Sequence, residues 1–140
     1  MLLDTAARMF EQEAASKGIE LRVRYLPASC DLPPLVLMRI LTNLLSNAIK
    51  HCDHGRILLS ARRRGENLLL ELRDTGIGMD AETLARVQLA YQKGADSSGE
   101  GLGLAICHQL ADAHGIDFEI ASHPGRGTCC RLRIPAIFAN

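Results

Sequence analysis

Tryptophan is absent from this chain, and aromatic residues make up only 4% of its 140 positions. Any core built from it must therefore be aliphatic. Charge of one sign is missing as well, because sixteen Lys and Arg balance sixteen Asp and Glu for a formal net charge of zero. Binders of nucleic acid or acidic membrane surfaces normally carry a basic excess, so the balance argues against both. No apolar run approaches the ~18–20 residues of a membrane span, and no signal-peptide pattern opens the sequence. The cysteines (Cys30, Cys52, Cys107, Cys129 and Cys130) are odd in number and form no Cys-x-x-Cys pair, which suits no disulfide framework. They read as small hydrophobes in a reducing cytoplasm. The cluster His51-Cys52-Asp53-His54 has no second ligand pair elsewhere, which speaks against a metal centre there.

What is present is enough for one domain over residues 1–140: 47% of the residues are apolar, which excludes disorder and supplies a two-layer core. Apolar residues at Leu3, Ala6, Ala7, Phe10 and Ala14 follow a helical period and predict a helix from Leu2 to about Ser16, stopped by Gly18. Ile19–Tyr25 alternates strictly and reads as a half-buried strand. After a proline-rich loop, a helix is expected from about Pro34 to His51, apolar along Leu37, Met38, Leu41, Leu44, Leu45 and Ala48. Strands at Arg56–Arg63 and Asn67–Arg73 form a hairpin through Arg64-Gly65-Glu66. Further helices are expected at Asp80–Tyr91 and Leu102–His114, separated by a loop at Gln92–Gly101, and closing strands at Ile116–Ser122 and Thr128–Pro135. This order predicts an α+β fold, a two-layer sandwich of one mixed sheet of about five strands with helices on one face.

Three segments carry chemistry. In the second helix, Asn43 and Asn47 lie one turn apart on a polar stripe that also holds Arg39 and His51, with Lys50 close by. Two carboxamide oxygens facing the same way can serve a hard cation such as magnesium, and Lys50 can meet a phosphate. Asp74-Thr-Gly76-Ile-Gly78 follows an apolar strand. An Asp at a strand end can accept a hydrogen bond from an exocyclic amine such as that of adenine, and the glycines let backbone approach a flat ring. Gly99-Glu-Gly101-Leu102-Gly103-Leu104 opens a helix, and free N–H groups there can cradle phosphate. No Gly-Lys-Ser/Thr follows and no strand leads in, so it is neither a Walker loop nor a dinucleotide fingerprint. Taken singly, each segment also reads as an ordinary solvated helix face, tight turn or linker.

In combination, and in this order, the segments KGIELRVRY, RILTNLLSNAIKH, DTGIGM, GEGLGLAI and GRGTCCRLRIP resemble the catalytic and ATP-binding domain of bacterial sensor histidine kinases, of the Bergerat-fold ATPase superfamily. The resemblance covers nearly the whole chain. It implies Asn47 as the magnesium ligand on the triphosphate, with Asn43 assisting and Lys50 and His51 near the phosphates. It implies Asp74 as the acceptor for the adenine amine, Gly76 and Gly78 as the residues that shape the pocket, and Thr128 as support at the adenine end. Gly101, Leu102, Gly103 and Leu104 are similar to the phosphate-side loop and helix start, and 92–101 to the family's ATP lid. Catalysis would rest on Asn43, Asn47 and Lys50. The sequence departs from the family at Val87 and Ala90, where phenylalanines are usual, at Gln92, where arginine is frequent and phosphate contact would pass to Lys93, and at His51, often tyrosine or phenylalanine.

Relatives that hydrolyse ATP carry a glutamate where this chain has Asn43, a residue that takes no proton at neutral pH. The resemblance thus implies transfer of the γ-phosphate of ATP to an external histidine, with Mg2+, rather than efficient hydrolysis. None of the five histidines has the flanking residues of the family's phospho-accepting histidine; His108 and His114 are expected to pack or to sit at the surface. The dimerisation domain with the acceptor histidine is expected to be separate, and a response-regulator receiver domain to lie downstream. No nucleic acid and no direct membrane contact are expected, and the location implied is cytoplasmic, free or as the inner part of a membrane-attached sensor. Two other readings remain open: a degenerate nucleotide-binding or interaction module without kinase activity, and a stand-alone serine kinase of the anti-sigma type.

Overall fold

The computed structural model describes residues 2–25, 29–30, 32–52, 55–78, 81–82, 84–85 and 102–137, the main chain alone at 29–30, 102–105 and 136–137. Helix α1 spans Leu2–Ser16 and buries Leu3, Ala6, Ala7 and Ala14. Its small alanines let it lie close against strand β1, Ile19–Tyr25, and against helix α2, Pro34–Lys50. Pro34 occupies the first turn of α2, where its missing N–H costs nothing, and the Pro33 carbonyl accepts from Val36 and Leu37. One face of α2 places Leu37, Ile40, Leu41, Leu44, Leu45, Ala48 and Ile49 in the core.

Strands β3, Gly55–Arg64, and β4, Asn67–Asp74, form the expected hairpin. Helix α3, Leu102–Ala113, then leads to β5, Asp117–His123, and β6, Gly127–Ile137. The sheet runs in the order β1-β3-β4-β6-β5, with β1 parallel to β3 across the α2 crossover and every other pair antiparallel. That is the α+β architecture the sequence implies, a mixed five-stranded sheet with helices packed on it. Alternation sorts its two faces: Ile57, Leu59, Leu68, Leu70, Leu72, Leu132 and Ile134 join the helices in the core. With no tryptophan available, leucine and isoleucine fill this layer.

Differences from the sequence reading are local. A two-residue strand β2, Ser29–Cys30, pairs with Ala136 and Ile137 inside the stretch expected to be loop. A pair of residues has no period to read, and Pro135, which cannot donate to a ladder, marks the expected end of β6 although pairing continues beyond it. Of the helix expected at Asp80–Tyr91, residues 81, 82, 84 and 85 are helical and the rest lies outside the described residues, as do 92–101 and Val87, Ala90 and Gln92. No helix among the described residues is long and apolar enough to cross a membrane. Cys52, Cys107 and Cys130 are buried and form no disulfide among the described residues, which agrees with their reading as small hydrophobes. His108 stacks at a tilt on Phe118 with ring centroids 4.5 Å apart, and His114 is exposed.

Candidate functional site

Hydrogen bonds lock the C-terminal end of α2 in place. Lys17, in the turn after α1, donates its Nζ to the Ile49 carbonyl at 2.6 Å, a cation at the negative end of the helix. The His51 N–H caps the helix through the Asn47 carbonyl at 3.1 Å. The His51 carbonyl in turn accepts from Ile77 N–H at 3.4 Å, so the last turn of α2 is tied to the loop after β4. Asn43 and Asn47 lie one turn apart and half-buried on this end of the helix, whereas Lys50 is exposed. Asn43 donates its Nδ2 to the Arg39 carbonyl at 2.7 Å, which leaves its carboxamide oxygen as the end able to take a ligand.

The glycines of the Asp74–Gly78 loop are required by what lies against them. A Cβ on Gly76 would stand 2.5 Å from the His51 carbonyl oxygen and 3.0 Å from Asp74 Oδ1. Gly78 has φ +71°, and a Cβ there would run into the His123 carbonyl. From the other side, Gly125 N–H donates to the Ile77 carbonyl at 2.7 Å. The loop is thus clamped between the end of α2 and the β5–β6 turn.

Asp74 shares the helix-facing side of the sheet with its β3 neighbour Ile57 and its β6 neighbour Thr128. Its Oδ1 accepts from Gly76 N–H at 2.9 Å. Burial pushes this carboxyl above its ordinary pKa, against backbone hydrogen bonds from Gly76 and Thr128 and the nearby His51, all of which favour the charge. Two backbone N–H groups serve a carboxylate that can accept about four hydrogen bonds. Thr128 Oγ1 lies 2.8 Å from Ser122 Oγ across the β5–β6 pair.

The structure therefore brings together His51, Asp74, Gly76, Gly78 and Thr128, with Asn43 and Asn47 on the turns of α2 that lead into this corner. The main chain of Leu102, Gly103 and Leu104 forms the first turn of α3, which packs beside α2. Lys93 and Gly101 lie outside the described residues. Two residues at this corner were not anticipated. Thr75 Oγ1 accepts from Arg56 N–H at 3.0 Å and fixes the base of the loop to β3, and Ser122 orients Thr128. Their partners are 19 and 6 residues away, so only the strand register exposes them.

A family model described as histidine kinase-, DNA gyrase B-, and HSP90-like ATPase matches residues 33–137, a span containing every residue of this corner. The chain belongs to that ATPase family. It is similar to the sensor histidine kinase RcsC of Salmonella typhimurium, 40% identical over 114 residues that make up 78% of this chain and 12% of RcsC. The sensor protein TorS of Escherichia coli is 34% identical over 138 residues, 96% of this chain and 15% of TorS. Among solved structures, full-length ShkA in complex with AMPPNP matches with a TM-score of 0.83 and 27% identity, over 99% of this chain and 30% of that one. The mycobacterial sensor histidine kinase MprB, at 22% identity and a TM-score of 0.79, shares the fold over 96% of this chain. The chain spans 12–15% of the length of RcsC and TorS.

Proposed function

We propose that this ATPase-family domain binds Mg-ATP at the corner between α2 and the Asp74–Gly78 loop and transfers the γ-phosphate to a histidine on a separate dimerisation domain, from which a receiver domain of a response regulator takes it. The observation that carries this reading is the half-buried Asp74 carboxylate, short of donors and backed by the end of the helix that bears Asn43 and Asn47. An exocyclic amine of adenine supplies the donor that Asp74 lacks. Thr128, held by Ser122, supports the same end of the base, and Gly76 and Gly78 let the ring lie against backbone.

The donors at α2 fit magnesium in one way. Asn43 and Asn47 offer neutral oxygens, and a hard cation that holds octahedral oxygen geometry needs phosphate oxygens and water beside them. Asn47 would be the protein ligand to such an ion, with Asn43 assisting, and the phosphates of the nucleotide would complete its shell. When bound, it neutralises charge on the phosphates. Lys50 adds positive charge on that side with His51 beside it, and phosphate contact is assigned to Lys93 as well. The backbone N–H groups at Gly101, Leu102, Gly103 and Leu104 receive phosphate oxygens at a helix start, and residues 92–101 act as the lid.

The transfer needs positioning more than acid–base chemistry. A neutral imidazole nitrogen of the acceptor attacks the γ-phosphorus, the N–P bond forms, and the bond to the bridging oxygen breaks with its electron pair leaving on ADP. Water would need a base to compete, and the carboxamides of Asn43 and Asn47 are not bases. This places the working domain in the cytoplasm, where ATP is available.

Calorimetric titration with ADP and a non-hydrolysable ATP analogue, with and without magnesium and against GTP, tests the binding half. Magnesium-dependent, adenine-selective binding that Asn47→Ala weakens by about tenfold or more is expected. Incubation of the domain with candidate acceptor domains tests the transfer, and an acid-labile phosphoprotein identifies histidine rather than serine. Absence of binding at millimolar nucleotide would sink this reading in favour of an interaction module.

A further inference from the structure

The other face of the sheet, turned away from the helices, holds most of the chain's arginine. Eight of thirteen arginines project there by register. Arg22 and Arg24 come from β1, and Arg56, Arg62 and Arg64 from β3. Arg73 comes from β4, and Arg131 and Arg133 from β6. Among the described residues four carboxylates share the face (Glu20, Glu71, Asp117 and Glu119), which leaves a formal excess of four positive charges there on a chain whose net charge is zero.

At the centre lies Glu71, its side chain 5% exposed. It accepts from Arg131 Nε at 3.0 Å and Arg73 at 3.1 Å, with Arg62 at 3.6 Å. Each guanidinium carries five N–H donors, and two carboxylate oxygens cannot accept from three such groups in full. Glu71 thus holds the cluster together and leaves it with donors to spare and two net charges. The three arginine side chains are 38–56% exposed. Beside them opens a groove of about 430 Å³ lined by Arg24, Tyr25, Leu58, Ser60, Arg62 and Arg73, and Arg24 makes no ion pair among the described residues.

We infer that this arginine face is a docking surface for an acidic, extended segment of a partner protein, whose carboxylates enter the Arg24–Arg62–Arg73 groove and whose apolar side chains rest on Leu58. The cations are all arginine, whose planar fork pairs two-pronged with carboxylates, and the groove has an apolar floor. A long polyanion such as nucleic acid is disfavoured, because the rest of the chain carries the balancing negative charge. This surface lies across the sheet from the nucleotide corner, and the inference does not depend on the proposed kinase reaction.

The experiment follows amide and guanidinium NMR signals of the labelled protein during titration with a peptide of Glu-Glu-Leu-Leu repeats, which when extended shows both residue types on each face. A single-stranded oligonucleotide of equal charge and phosphatidylserine vesicles serve as competing probes. The peptide is expected to bind at low ionic strength, to move the signals of Arg24, Ser60 and Arg62, and to weaken as salt is added. Arg24→Gln with Arg62→Gln should reduce its affinity about tenfold. Both residues are exposed, so the fold should survive, and the helix-side pair Arg8→Gln with Arg39→Gln should leave binding unchanged. No binding, signal changes confined to other surfaces, equal loss in the helix-side variant, or preference for the oligonucleotide or the vesicles would each overturn the proposal.

Discussion

Strand β4 carries two carboxylates three residues apart whose environments act in opposite senses. Glu71 faces away from the helices, and although burial pushes its carboxyl up, hydrogen bonds from Arg131 and Arg73 bring it below its ordinary value of 4.5. Asp74 lies on the helix side, where burial prevails over the backbone bonds of Gly76 and Thr128 and raises it above 3.8. The first charge is matched by three guanidinium groups, and the second is left short. A matched charge steadies the sheet, whereas an unmatched one costs stability and suits a ligand that brings the missing donor. The surroundings differ in construction too. Long, exposed side chains make the Glu71 face, while main chain at close range makes the Asp74 corner.

That difference in construction predicts where a small change does most harm. Gly76→Ala puts a methyl group 2.5 Å from the His51 carbonyl, where backbone cannot yield. A loss of about 2–4 kcal/mol is expected in urea unfolding, together with loss of ADP binding. Glu71→Gln removes the negative charge and one of the two acceptor oxygens shared by three arginines that can still reach water, at a cost of about 1–3 kcal/mol and with nucleotide affinity unchanged. Asp74→Asn should invert this pattern. Stability at neutral pH stays level or rises, while ADP affinity measured by calorimetry falls about 10- to 100-fold. If both carboxylate variants lost stability and neither lost affinity, the contrast between the two sites would collapse.

Most of the corner was legible in the sequence because its parts are local. Asn43 and Asn47 share a helix turn, and Asp74, Gly76 and Gly78 are near neighbours whose roles need no long-range contact to suspect. The alternation of Ile19–Tyr25 and the one-sided apolar stripe of α2 likewise give strand and helix at once, in agreement with β1 and α2 as found. What stayed hidden depends on register. Lys17 meets the Ile49 carbonyl 32 residues on, and Arg131 meets Glu71 from 60 residues away. The arginine face is invisible in composition because its excess is cancelled elsewhere in the chain, and it emerges only when five strands are laid side by side. The two-residue β2 is too short to carry any pattern.

The smallest effect is also the one that separates the two carboxylates most directly, since they respond to acid in opposite directions. Glu71, lowered in the folded state, contributes stability that is present above about pH 4.5 and lost as pH falls through its folded value. Asp74, raised in the folded state, contributes stability that is present below about pH 3.8 and lost as pH rises through its folded value. Urea midpoints measured against pH should therefore lose part of their acid limb in Glu71→Gln. In Asp74→Asn they should lose part of the decline that begins above pH 3.8. ADP affinity adds an independent reading, because the adenine amine needs the ionised acceptor. It should weaken as pH falls through the raised value of Asp74, by up to about tenfold per pH unit below it, and Asp74→Asn should flatten that dependence. An affinity profile that instead followed Glu71→Gln would move the nucleotide to the arginine face and reverse the assignment of the two surfaces.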